Sequence, residues 1–233
     1  MSYVLGFFAA DGNMIRNSRG AHFIAFYSCD KSILLAIRST LGSTHKLGIR
    51  RRSPPWRTAY QLQIGSKEIF GDLTGLGFVP AKSKKLLFPK VPHKYLGDFV
   101  RGYFDGDGNV YFKKHYVKDR DKQKWIFTSR FTSGSRIFLE SLLTILRSCG
   151  AQGGFIVSKN NNSGFELVFS HRDSVALFHL MYDTISDNGL YLVRKYSLFR
   201  RAIKTLYGGV AQPGGAIPCH GRGCGFKSRR SRP

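Results

Sequence analysis

Residues 95–110 read YLGDFVRGYFDGDGNV, and residues 3–14, YVLGFFAADGNM, follow the same grammar. Each runs through an apolar stretch containing a glycine, reaches acid-Gly-Asn and passes straight into a β-like segment. An internal repeat changes the architecture to be expected, so these two copies frame everything between them. A helix over Tyr3–Ala10 puts Gly6 and Ala10 one turn apart on one face, and Gly102 and Gly106 stand in the same relation in the second copy. Small residues at that spacing let two helix backbones approach closely. If the two helices pack together, their C-terminal ends bring Asp11 and Asp107 side by side.

The segments between the copies repeat as well. After Asn13, MIRNSRGAHFIAFYSC reads as two strands around an Arg-Gly turn, and DKSILLAIRSTLG follows with helical spacing of Ile33, Leu34, Ile37 and Leu41 behind Asp30 as N-cap. KLGIRRR and RTAYQLQIG form a second hairpin across Ser53, Pro54 and Pro55, and SKEIFGDLTGLG a second helix closed by Gly77. From residue 109 the order recurs: a hairpin from NVYFKKHYV and KWIFTSRFTS, a helix over SRIFLESLLTILRSCG, a hairpin from GGFIVSK and GFELVFSH, and a helix over DSVALFHLMYDTI. Each half is α-β-β-α-β-β-α, and a final helix, RKYSLFRRAIKTL, ends before the glycines at 208 and 209. The expected organisation is an α+β chain with an N-terminal repeat over 1–94, a C-terminal repeat over 95–207 and a basic, disordered tail over 208–233.

The 233 residues carry 37 Lys and Arg against 14 Asp and Glu, a formal charge of +23. Such a chain repels itself unless a polyanion balances it, and nucleic acid is the leading partner. No apolar run approaches the roughly 20 residues that span a bilayer, and no signal-peptide core is present, so no membrane role is expected. Four cysteines, Cys29, Cys149, Cys219 and Cys224, are too few for a disulfide framework, and with Cys29 and Cys149 set in hydrophobic surroundings they point to a reducing, intracellular compartment. PCHGRGC offers Cys219, His220 and Cys224 to zinc but lacks a paired CxxC. The tail's GVAQPGG and GFKSR can be encoded by D-arm-like and T-arm-like tRNA gene sequences, so the expectation is that the frame runs into a tRNA gene; an upstream start would lengthen the first motif helix.

Alternation assigns strand faces. Tyr60, Leu62 and Ile64 face the core, leaving Ala59, Gln61 and Gln63 outward; Leu47 and Ile49 face the core and Lys46, Arg50 and Arg52 the other surface. Trp125, Phe127 and Phe131 point inward, with Thr128, Arg130 and Thr132 outward. The outer faces are thus cationic and hydrogen-bonding, the chemistry that holds phosphates and reads base edges. Arg16, Arg19, His22 and Arg57 extend the candidate DNA-binding set in the first half, and Lys113 and His115 in the second. The halves differ, Arg50, Arg52, Gln61 and Gln63 against Lys113, Thr128, Arg130 and Glu166, so an asymmetric target is expected.

Two close carboxylates repel unless cations sit between them, and hard divalent cations prefer such oxygen ligands. The helix ends add unpaired carbonyls, here those of Ala10 and Gly106, and partial negative charge. The arrangement suits metal-assisted phosphodiester hydrolysis with Mg²⁺ or Mn²⁺, two or three ions between the repeats.

VLGFFAADG (4–12) and VRGYFDGDG (100–108) resemble the two LAGLIDADG motifs of single-chain homing endonucleases, and the element order resembles that fold over residues 1–207. The resemblance implies a monomeric, intron-encoded, pseudo-twofold DNA endonuclease with two saddle-shaped antiparallel sheets in the major groove and the motif helices as central interface. Asp11 and Asp107 occupy the metal-binding position; the earlier acidic position of the motif is Ala9 in the first copy and Asp105 in the second. VPAKS and LVRKY occupy the places of a basic residue near the metal, giving Lys82 and Lys195 as catalytic candidates. Each half would cover about one turn of double-stranded DNA, a site of roughly 20 base pairs. The alternative on the same fold is an RNA maturase that binds intron RNA, or a regulator that binds DNA without cutting it.

Overall fold

The computed structural model describes residues 1–51, 53, 55, 57–159, 163–186 and 189–208; Arg52 and the tail from 209 onward, with Cys219, His220 and Cys224, lie outside the described residues. The first repeat runs α1 (Ser2–Asp11), β1 (Gly12–Arg16), β2 (His22–Ser28), α2 (Lys31–Thr40), β3 (Leu47–Arg50), β4 (Ala59–Gly65) and α3 (Lys67–Gly75). The second runs α4 (Leu96–Asp107), β5 (Gly108–Val117), β6 (Lys122–Ser133), α5 (Arg136–Ser148), β7 (Phe155–Ser158), β8 (Phe165–Ser170) and α6 (His171–Tyr182), and α7 (Val193–Tyr207) follows. Each repeat holds one four-stranded antiparallel sheet, ordered β1-β2-β4-β3 and β5-β6-β8-β7.

The two motif helices are packed against each other along their length, and glycine is what permits it. A Cβ on Gly6 would be driven into the carbonyl oxygen of Phe99 and lie 2.9 Å from the backbone nitrogen of Tyr103. A Cβ on Gly102 would meet Tyr3 and Phe7 in the same way, 2.9 Å from the Phe7 nitrogen. Around this backbone contact Phe7, Phe8, Phe99 and Phe104 are buried to 1% exposure or less. Each fully buried ring contributes about 1.5–3 kcal/mol; Phe8 packs on Phe26 and Phe78, and Phe104 on Phe131 and Phe199, so these two rings seat each motif helix on its own repeat. Gly12 and Gly108 then turn each helix directly into the first strand of its sheet with extended backbone. Ser66 and Ser135 cap α3 and α5, accepting from the backbone N–H groups of Ile69 and Phe138 at 3.2 and 3.3 Å.

Three local expectations are corrected. Ile49 is 61% exposed although it pairs with Tyr60 on the core-facing side, because β3 is the edge strand. Ala59 keeps the outer face, paired with Arg50, and is buried there. Asp30 stands at the N-cap of α2 without a side-chain capping bond; its Oδ2 instead accepts from Nε and Nη2 of Arg194 at 3.1 and 3.0 Å, joining the start of α2 to α7. Cys29 is exposed, not enclosed by apolar neighbours. Among the described residues no helix is long and apolar enough to cross a membrane.

Candidate active site and nucleic-acid interface

The close approach of α1 and α4 carries their last residues to one place. A Cβ on Gly106 would lie 2.5 Å from Cβ of Ala10 and 3.3 Å from Oδ2 of Asp11, so Asp11 sits against the end of the opposite motif helix. Asp11 and Asp107 are half-buried, and among the described residues neither carboxylate makes a hydrogen bond or ion pair. Burial raises the Asp11 carboxyl to about 7, the charge of Asp107 adding to the effect and Lys195 and Lys82 opposing it. Burial also raises Asp107, against Lys82, Lys195 and Lys159. Two such carboxylates are oxygen donors of the kind a hard cation takes, although among the described residues no cluster of three His, Cys, Asp or Glu side chains forms a metal cage.

Lys82 and Lys195 flank the pair, each 5% exposed. Lys82 lies in a 3₁₀ turn (Lys82–Lys84) behind Ala81, which takes the left-handed conformation at φ 54. Its Nζ donates to the carbonyls of Ala9 at 2.9 Å and Ala10 at 3.4 Å. Lys195, in the first turn of α7, donates to the carbonyls of Phe104, Asp105 and Gly108 at 2.6, 2.8 and 2.6 Å and reaches Gly106 at 3.4 Å. Burial lowers both ammonium groups to about 8, while the carboxylates pull the other way. The lysines therefore neutralise the helix ends, and the Ala10 and Gly106 carbonyls are shared with them through long contacts rather than standing open. An open cleft of about 620 Å³ leads to this point, lined by Asp11, Asn13, Arg16, Tyr27, Lys82 and Ser83 among others.

Beyond the cleft, the first sheet's outer face is a networked plate. Arg50 Nε donates to Gln61 Oε1 at 3.0 Å, and Gln61 Nε2 donates to Gln63 Oε1 at 2.8 Å and to the Tyr27 hydroxyl at 3.3 Å. The Arg50 guanidinium also lies 5.2 Å over the Tyr27 ring. On the second sheet, Arg130 Nη1 pairs with Glu166 at 3.3 Å, Lys159 approaches the same carboxylate at 3.6 Å, and Lys113 lies 6.0 Å over Tyr111, whose hydroxyl bonds His115. Thr128 and Thr132 are half-buried beside Arg130, and the Thr132 carbonyl accepts from the Tyr103 hydroxyl at 2.8 Å. Arg19 and Arg57 are exposed outside the strands.

Two candidates fall elsewhere. His22 shares a strand face with the buried Ile24 and Phe26 and packs edge-on to Phe70 at 4.5 Å, so it belongs to the helix side of the sheet, away from Gln61. Lys46 lines a crevice with Lys31, Arg38 and Tyr60 beneath α2. Sequence reasoning passed over Tyr27, whose odd-numbered register with Phe23 and Ala25 places it on the outer face, and Arg101, 2% exposed and bonded to the carbonyls of Met181 and Leu190.

No protein-family profile matches the chain. Among curated proteins it is 31% identical over 141 residues to a probable translation initiation factor IF-2 of Thermococcus kodakarensis, and 24% identical over 162 residues to an uncharacterized protein of Methanocaldococcus jannaschii. These alignments take in 57% and 65% of this chain, but only 11% and 54% of the two relatives' own lengths. Solved structures resemble it more completely. Meganuclease I-SmaMI bound to uncleaveable DNA superposes with a TM-score of 0.60 at 13% identity over 87% of this chain and 88% of that one. I-SmaMI bound to uncleaved DNA in the presence of calcium ions gives 0.57 at 12% identity over 90% and 92%. Mesophilic variants of the homing endonuclease I-DmoI give 0.54 at 14% identity over 78% and 94%. With two motif helices at its centre and a four-stranded sheet on each, the chain has the two-repeat fold of the LAGLIDADG homing endonucleases.

Proposed function

We propose that the chain is a metal-dependent endonuclease that cuts both strands of a long, asymmetric DNA site. The observation that carries this reading is the pair of half-buried carboxylates, Asp11 and Asp107, one from each repeat, without a hydrogen bond or ion pair among the described residues where the two motif helices end. The DNA-bound structures of I-SmaMI on the same fold support it, as does the charge of +23. Asp11 and Asp107 would hold Mg²⁺ or Mn²⁺, two or three ions, with the Ala10 and Gly106 carbonyls as neighbouring oxygens. Bound there, a divalent ion supplies an activated water and charge stabilisation for the leaving oxygen. Lys82 and Lys195 place positive charge beside the carboxylates and hold the helix ends in place, and burial keeps bulk water from screening them. Arg50, Gln61, Gln63 and Tyr27 on one sheet, and Lys113, Thr128, Arg130 and Thr132 on the other, contact the two unlike half-sites, with Arg16, Arg19 and Arg57 on phosphates. The protein acts as a monomer, each repeat covering about one turn of a site of roughly 20 base pairs.

The test is incubation of the purified protein and Mg²⁺ with duplex DNA spanning the locus without the inserted reading frame. Wild type is expected to cut both strands; Asp11→Asn and Asp107→Asn are expected to bind the duplex and cut at least about a thousandfold more slowly. Intact DNA with wild type, alongside tight binding to the surrounding intron RNA, sinks this reading in favour of a maturase.

A further inference from the structure

The buried network around Asp105 stands outside the site as described. Asp105 is 2% exposed; its Oδ2 accepts from the Tyr3 hydroxyl at 2.7 Å and from the Leu192 backbone N–H at 2.8 Å. Leu192 is the residue that opens α7, its carbonyl accepting from the backbone nitrogens of Lys195 and Tyr196 at 3.0 and 3.1 Å. Lys195, carried by that first turn, donates back to the carbonyl of Asp105 itself at 2.8 Å. The circuit is closed: the carboxylate grips the start of the helix, and the helix returns the ammonium to the end of α4. Arg101 adds a second grip, its Nε donating to the Leu190 carbonyl at 2.9 Å.

The first repeat has neither grip. Matching Gly6 to Gly102 and Asp11 to Asp107 sets Leu5 against Arg101 and Ala9 against Asp105. Neither apolar side chain can hold a backbone N–H or carbonyl, and Lys82 is carried by a three-residue turn instead of a helix. Three short bonds to carbonyls use all three protons of the Lys195 ammonium, whereas Lys82 has one bond at 2.9 Å and one at 3.4 Å.

We propose that Asp105 is a positioning residue for Lys195: by holding the Leu192 N–H it fixes the first turn of α7, so that the half of the site served by Lys195 depends on it more than the half served by Lys82, which it reaches only through the Tyr3 hydroxyl on α1. This rests on the endonuclease reading.

The experiment follows each strand of the target duplex with its own label. Asp105→Ala is expected to slow one strand by about tenfold or more and the other by less than about twofold, so that nicked duplex accumulates. Lys195→Met is expected to spare the same strand. Asp105→Asn, which keeps an acceptor for Leu192, is expected to cut nearly as wild type. Equal slowing of both strands by Asp105→Ala, or an Asp105→Asn protein as impaired as Asp105→Ala, overturns the positioning role. Should Asp105→Ala not fold, wild type and Asp105→Asn are compared by nitrogen-15 NMR without DNA. Slow exchange of the Leu192 amide and of the Lys195 ammonium protons, with Lys82 faster, supports the proposal; Lys195 exchanging as fast as Lys82 overturns it. Wild type that leaves both strands whole sinks the endonuclease reading, and the positioning role with it, which no pattern of unequal strand rates can mimic.

Discussion

The two repeats share an element order and the place where their backbones touch, and differ in strand length and in the side chains beyond it. Gly6 and Gly102 make reciprocal contacts, each against the residues that flank the other. Away from that line, β5 and β6 have 10 and 12 residues where β1 and β2 have 5 and 7, and the second repeat ties its motif helix to the segment before α7 through Arg101 and Asp105 where the first has Leu5 and Ala9. Pseudo-symmetry is thus enforced by sterics at the interface and free to lapse beyond it. One covalent chain permits that lapse, since a substitution appears in one half alone.

The comparison can be broken most forcefully at the interface. Gly6→Ala and Gly102→Ala each drive a methyl group into a backbone carbonyl, and each is expected to cost more than about 3 kcal/mol by urea denaturation, by similar amounts. A large difference between them would show that the interface is not symmetric in energy. Next, Arg101→Met leaves the buried carbonyls of Met181 and Leu190 unpaired and should cost about 3 kcal/mol, against less than about 1.5 kcal/mol for Leu5→Met at the matching position.

A pH scan sharpens the comparison further. The Asp11 carboxyl is raised from 3.8 to about 7, so the folded protein holds this proton more tightly than the unfolded chain does. Stability of the metal-free protein should therefore rise as pH falls from about 7.5 to 4.5, by on the order of 2 kcal/mol from Asp11, and Asp11→Asn should flatten that slope. The lysines, lowered to about 8, act in the window above this one. Smallest is Arg194→Ala, which opens a partly exposed pair with Asp30 and should cost about 0.5 kcal/mol, read as a small fall in the denaturation midpoint.

Much of this was legible beforehand because it is written in local pattern. The doubled motif gave the central helices, period-two alternation put Gln61, Gln63, Thr128 and Arg130 on outer faces, and Gly77 and Gly150, at φ 89 and 105, marked helix ends. His22 was misplaced by weighing its chemistry above its register, since Ile24 and Phe26 on the same strand face already pointed inward. Asp30 looked like a cap because capping is local, while its partner Arg194 is 164 residues away. Arg101 was invisible for a related reason. Its acceptors are backbone carbonyls 80 and 89 residues distant, and a carbonyl has no signature in a sequence.

The backbone-to-backbone contact at Gly6 and Gly102 has one more consequence. Where backbone meets backbone at these two glycines no side chain intervenes that could change rotamer to take up slack, and packed interiors deform little. The two sheets are therefore set at a fixed separation, and on the proposed function the molecule behaves as a ruler. A duplex with both half-sites intact but one base pair added between them would satisfy either sheet and not both.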